Sequence, residues 1–125
     1  MTGLILFAHG ARDPRWAAPF QAVAERVRAL RPDAAVRLAF LELMTPGLQA
    51  AVDELIAAGC RRIDVLPMFL GTGGHVRNDL PLLVQGLRAK HAEVRITLHA
   101  PIGEAPSVID AMANVASRAA SLALE

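Results

Sequence analysis

The sequence is poor in several features that would announce a function. It has 1 cysteine, which excludes a disulfide framework and any Cys-rich metal site and suits a reducing cytoplasm. Neither sign of charge prevails. Against 12 acidic residues stand 13 basic ones, and the resulting +1 is too little for a surface built to neutralise a nucleic-acid backbone. Long hydrophobic runs are missing. Leu4 to Ala8 is too short for a signal-peptide core, and no stretch approaches the roughly eighteen apolar residues of a membrane span. Nucleotide loops are missing too: no Gly-Lys-Ser/Thr follows the glycines at 71–74, and no G-x-G-x-x-G follows the first apolar run. What is present is 125 residues, 54% hydrophobic and 20% charged, which predict a single packed domain over 1–125, cytoplasmic, without a nucleic-acid or membrane partner.

Strand-like and helix-like segments alternate along the chain. Gly3 to Ala8 is a short, continuous apolar run, the pattern of a strand buried on both faces. From Pro14 to Leu30, Trp16, Phe20, Val23, Val27 and Leu30 recur at helical spacing until Arg31-Pro32 closes the segment. Val36 to Leu43 reads as a second strand. Thr45-Pro46 reads as an N-cap with proline at the first helical position, opening a helix that runs to Ala58 and stops at Gly59. Arg62 to Phe69 is a third strand, Val76 to Lys90 a helix, Val94 to Leu98 a fourth strand, and Pro106 to Leu124 a final alanine-rich helix. Such β-α units predict an α/β fold: a four-stranded parallel sheet with right-handed crossovers and helices on both faces.

In that architecture ligands bind beyond the carboxyl ends of the strands, where helix N-termini point. The residues placed there are His9, Gly10, Ala11, Arg12 and Asp13 after the first strand, and Glu42 and Thr45 near the end of the second. Leu70, Gly71, Thr72, Gly73, Gly74 and His75 follow the third, and His99 the fourth. Neutral imidazole is a ligand for divalent Fe, Co, Ni and Zn, and a general base near neutral pH. Two imidazoles without cysteine leave most coordination positions open, which suits a metal in transit better than a closed structural zinc. Glu42 adds a carboxylate that can take up protons. The 71–74 segment can cradle an anion on its backbone N–H groups or simply reverse the chain tightly. Arg12, Arg15 and Arg77 flank the rim and suit carboxylates. Plainer assignments stand beside these: His91 at a helix C-terminus, His99 as a structural strand-end residue, Cys60 as packing, and Trp16 with Phe20 as a core-facing pair one helical turn apart.

The residues from His9 to Trp16 (HGARDPRW) resemble the opening motif of the small class II tetrapyrrole chelatases, the CbiX/SirB family. Phe40 to Pro46 (FLELMTP) and Pro67 to Pro81 (PMFLGTGGHVRNDLP) resemble its second and third motifs, in register; Ala11 stands where the family commonly carries serine. The resemblance implies insertion of a divalent metal, Co2+ first and Fe2+ or Ni2+ otherwise, into sirohydrochlorin, with no organic cofactor. It further implies that His9 and His75 hold the metal, that His9 also accepts pyrrole protons, and that Glu42 is an auxiliary acid-base group. Gly10, Arg12, Thr45 and Leu70 to His75 would line the macrocycle, and a homodimer would rebuild the two-lobed cleft of larger relatives. A histidine phosphatase is disfavoured, because Ala8 occupies the position of the arginine that precedes the nucleophilic His-Gly in that group. A metal or tetrapyrrole carrier that uses the same histidines without turnover is the other reading.

Overall fold

This computed structural model describes residues 1–123, so Leu124, the expected end of the last helix, lies outside the described residues. Strands β1 (Thr2–Ala8), β2 (Ala34–Phe40), β3 (Arg62–Pro67) and β4 (Arg95–Leu98) form one sheet in the order β2-β1-β3-β4, and every neighbouring pair is parallel. Helices α1 (Ala18–Leu30), α2 (Leu48–Ala57), α3 (Gly74–Lys90) and α4 (Pro106–Ala123) follow the strands in turn. A 3-10 turn at Pro14–Ala17 precedes α1, and another at Ile102–Glu104 precedes α4.

Apolar side chains on both faces explain why β1 is central. Ile5, Leu6, Phe7 and Ala8 are each at most 1% exposed, as expected of a strand covered above and below. Odd-numbered residues of β1 and β3 (Ile5, Phe7, Ile63, Val65) point with Ile96 into the main core, where Leu48, Val52 and Leu55 of α2 and Leu80, Val84 and Leu87 of α3 close over them. Leu6 and Val36 point the other way, onto Val23, Ala24 and Val27 of α1. Helices therefore cover both faces, α1 on one and α2 with α3 on the other. Helix α4 joins neither layer: its principal contact among the described residues is the 3-10 turn that leads into it.

Several boundaries differ from the sequence reading, each for a local reason. The segment at Pro14 begins as a 3-10 turn, with the Asp13 side chain accepting the Arg15 N–H as its cap, before α1 proper. Strand β2 stops at Phe40 rather than Leu43, because Leu43 adopts a left-handed backbone (φ 65°). Thr45 is not an N-cap: α2 starts at Leu48 behind Gly47, and Pro46 instead gives its carbonyl to the Phe40 N–H, closing a tight loop after β2. Strand β3 ends at Pro67. The neighbouring Met68 N–H donates to Phe7 in β1, so the Pro67 nitrogen faces the β4 side, beyond the last paired residue of β4 opposite Val65. Pairing with β4 ends with the His99 N–H donating to the Val65 carbonyl, and the next donor position of β3 is the proline, whose missing N–H stops the ladder there. Helix α3 starts earlier than predicted, at Gly74, so His75 lies in its first turn.

Leu55 is 0% exposed in the main core, whereas Leu30 at the end of α1 is 79% exposed. Leu55→Ala should lower the unfolding free energy by about 2–5 kcal/mol, and Leu30→Ala by no more than about 0.5 kcal/mol, both read from urea titrations.

Candidate active site at the carboxyl rim of the sheet

Main-chain pairing continues past the ends of β1 and β2. The Leu41 and Glu42 N–H groups donate to the carbonyls of Ala8 (2.9 Å) and His9 (3.0 Å), which brings Glu42 alongside the His9-Gly10 turn. Gly10 is required there twice over. Its φ is +97°, and a Cβ would stand 1.8 Å from the Glu42 carbonyl oxygen. Beside this junction the Leu43 backbone is strained, at a cost of about 1–3 kcal/mol of the kind that collects at functional sites.

The His9 side chain is exposed, but its ring rests on Phe69, which is 5% exposed, with centroids 5.0 Å apart. Phe69 in turn meets Phe7 of the core at 6.0 Å, so the histidine sits on an apolar platform rooted in the sheet. Glu42 and His75 line one cleft of about 370 Å³ together with Leu41, Val76, Asp79, Leu80 and Leu83. His75, Asp79 and Leu83 share one face of α3, and their i, i+4, i+8 spacing was the signal by which the sequence could have revealed this wall. Phe69 carried no such signal, since its contact with His9 exists only after β1 and β3 pair. Among the described residues, no group of three or more His, Cys, Asp or Glu side chains lies together as a metal cage would require.

The glycines at 71, 73 and 74 differ from Gly10. None has a positive φ, and no atom lies within 4 Å of where a Cβ would be, so the fold itself places no demand for glycine there. Gly73 is the N-cap of α3, without a side-chain cap, so amides of the first turn face the rim unbonded by any cap. Leu70 is 71% exposed on the same loop. A neighbouring depression of about 380 Å³ is lined by Thr72, Arg77, His99 and Glu104, and it shares Val76 and Leu80 with the cleft. Arg77 reaches the Thr72 hydroxyl at 3.4 Å.

The rim does not gather every predicted residue. Thr45 lines a separate groove against α1, with Gln21, Arg28 and Phe40. Arg15 is held by Asp13 (2.9 Å), and this guanidinium keeps the Asp13 carboxyl below the usual carboxylate range, so the pair stays ionised and spoken for. Arg12 is exposed beside them and makes no ion pair among the described residues. His99 bonds Asp64 at 2.9 Å, and His91 caps α3 with its ring 3.2 Å from Asp53 of α2. Cys60 is fully buried, and Trp16 meets Phe20 in a tilted ring contact at 4.8 Å against Ala8, Ala17 and Phe40.

Comparison with known proteins gives one consistent result. The family model described as CbiX matches residues 3–119. A sirohydrochlorin cobaltochelatase of Saccharolobus solfataricus is 32% identical over 109 residues, covering 82% of this chain and 84% of that protein. A CbiX protein from Marinobacter aquaeolei VT8, assigned by similarity to cobalamin (vitamin B12) biosynthesis, superposes with a TM-score of 0.83 at 34% identity, covering 97% of this chain and 98% of that one. The sirohydrochlorin chelatase SirB from Bacillus subtilis subspecies spizizenii, in complex with cobalt, superposes at 0.75 and 25% identity over 88% of this chain. SirB from Bacillus subtilis with Fe3+ does so at 0.74. This chain spans only 47% and 44% of those two SirB chains.

The rim junction is directly testable. Gly10→Ala should separate Glu42 from His9, and the Glu42 amide should exchange with deuterium at least tenfold faster than in the unaltered protein. An unchanged exchange rate would show that the junction tolerates a Cβ.

Proposed function

The chain belongs to the CbiX family, and on that footing we propose that it is a chelatase inserting a divalent metal, cobalt ahead of iron or nickel, into sirohydrochlorin. The observation that carries this reading is the junction of Glu42 with His9, in a rim where Glu42 also shares a cleft with His75. Insertion joins one divalent ion to the macrocycle and releases two protons from ring nitrogens. In this reading His9, supported by Phe69, accepts those protons, and Glu42 passes them to solvent. His9 and His75 are the two groups offered to the incoming ion, and so small a ligand set lets the metal go. The eight substrate carboxylates call for donors. In this reading amides of the first turn of α3, with Arg77 on the same helix and Arg12 after β1, supply these without enclosing the ring. Gly71, Gly73 and Gly74, for which the fold has no use of its own, give the flat macrocycle room to approach the backbone. The divalent metal is a substrate, and the reaction as written needs no organic cofactor.

A homodimer completes this reading. Leu41, Leu43, Leu70, Leu82 and Leu83 are 40–71% exposed on or near the rim, an apolar border for a wide ring that one rim alone meets on one side. Two copies with facing rims would supply both walls. In this reading the protein works in the cytoplasm, in cobalamin or siroheme synthesis, and its single free thiol is compatible with that compartment.

Multiple-turnover insertion of Co2+ into sirohydrochlorin, followed by absorbance, should exceed one equivalent of product per chain; a halt at one equivalent would identify a carrier. His9→Ala and His75→Ala should each reduce kcat at least about 100-fold. Glu42→Gln should have a smaller effect, and His91→Ala should leave kcat unchanged. Gly71→Ala should raise KM for sirohydrochlorin several-fold while leaving Tm equal or higher, because it meets no steric conflict and restricts only the unfolded chain. A KM unaffected at Gly71 would remove that loop from the substrate site.

A further inference from the structure

The second half of the chain repeats the backbone of the first. At the end of α1 the Arg31 N–H donates to the Val27 carbonyl at 2.8 Å, and at the end of α3 the His91 N–H donates to Leu87 at 3.0 Å. The Arg28 guanidinium reaches the Val36 carbonyl of β2 at 3.0 Å, and Arg88 reaches the Ile96 carbonyl of β4 at 2.7 Å. Every member of the second set stands 60 positions after its counterpart, so α1 and β2 recur as α3 and β4. The match extends beyond the strands, to Pro46 ahead of α2 and Pro106 at the start of α4.

At one corner the two halves differ. In the first, Trp16, Phe20, Phe40 and Met44 fill the space between the end of β2 and the start of α1, packed on Ala17. The equivalent positions of the second half carry Val76, Leu80, Ala100 and Glu104, each a smaller residue, and Arg77 replaces Ala17. Where the first half has a packed cluster, the second has a cavity of about 380 Å³, lined by Val76, Leu80 and Leu98 together with Thr72, Arg77 and Glu104. Small-ligand sites run from about 300 to 1,000 Å³, and this hollow falls among them. Bulky apolar groups are gone from it, and charged ones stand in their place.

The lining selects an occupant. Arg77 is exposed, makes one side-chain hydrogen bond, to the Thr72 hydroxyl at 3.4 Å, and pairs with no carboxylate among the described residues. Its planar edge remains open to a bidentate carboxylate. His99 is engaged by Asp64 at 2.9 Å and serves as wall. The apolar lining suits the methylenes that carry such a carboxylate. Val76 and Leu80 also line the cleft of Glu42 and His75, so one ligand can lie across both hollows.

We infer that this cavity seats one carboxylate-bearing side arm of the tetrapyrrole, with Arg77 holding the carboxylate and Val76, Leu80 and Leu98 around its methylenes. The inference rests on the chelatase reading and names the point that fixes the orientation of the macrocycle on the rim. Glu104 opposes the charge of the arm, which loosens the hold and favours release of the product.

Metal-free sirohydrochlorin titrated into the full chain, with binding read from its fluorescence, tests the seat without any turnover. Arg77→Met should raise Kd about tenfold, and Glu104→Gln should lower it about two- to threefold. Glu104→Trp separates charge from space: it removes the same charge but fills the cavity, and should raise Kd at least about fivefold. Glu104 is exposed, so both of its variants should keep the circular dichroism spectrum and Tm of the unaltered chain. A Glu104→Trp chain that binds as tightly as Glu104→Gln, or a Glu104→Gln chain that binds more weakly than the unaltered one, would overturn the inference. Cobalt insertion by the unaltered chain, measured apart, decides the chelatase reading. Turnover alongside either of those outcomes removes the seat alone, and the expected Kd shifts without turnover uphold the seat in a binding protein. An unaltered chain that binds no sirohydrochlorin overturns both.

Discussion

Parallel pairing of β1 with both of its neighbours governs the rest of the molecule. Ala8 lies opposite Phe40 and Phe7 opposite Pro67, so three strands finish level with one another and release their loops on one side. Pairing then runs beyond the strands through the Leu41 and Glu42 amides and through Met68. Each such bond contributes only about 1 kcal/mol, but bonds are directional, so the main chain itself sets Glu42 against His9. Gly10 is the condition for this: any side chain there would occupy the place of the Glu42 carbonyl. The position of a proposed acid-base pair thus rests on a missing methyl group.

Those relations explain which parts of the structure the sequence discloses. The apolar run of β1 and the helical spacing of α1 are local patterns, and they locate both elements within a few residues. His9, Glu42 and His75 are legible for a related reason: polar residues immediately after apolar strands are visible along the chain, and a parallel fold sends all strand ends to one rim. The loop after β2 is different. Thr45-Pro46 carries an excellent local signal for a helix start, but the chain has to turn tightly to bring Pro46 back to Phe40, and tertiary closure overrides the local preference. The early start of α3 was hidden because Gly73 and Gly74 resemble a turn. No pattern along the chain indicates that α4 stays off its own sheet, since that depends on where Gly103 docks.

The site is loosely furnished by the standards of metal proteins, and its proposed task accounts for that. A structural ion is kept by four fixed ligands, whereas an ion to be delivered has to be given up to four ring nitrogens that bind it more firmly. Two histidines on different elements, one tilted against Phe69 and one on the first turn of α3, would present donors that are independently supported and open to solvent. Selectivity for the macrocycle then falls to the surroundings. The uncapped α3 terminus favours anionic groups, and the open glycines admit a flat one.

The turn that launches α4 reaches this site from the far side of the loop. Gly103 donates its N–H to the Phe69 carbonyl and packs on the Leu70 backbone, the residues that support His9 and begin the glycine loop. A Cβ at Gly103 would collide with the Leu70 carbonyl, so this seat, like the junction at Gly10, depends on a missing methyl group. The main core owes nothing to α4. The posture of residues 69–74 is therefore tied to the docking of one 3-10 turn as well as to the pairing of the strands.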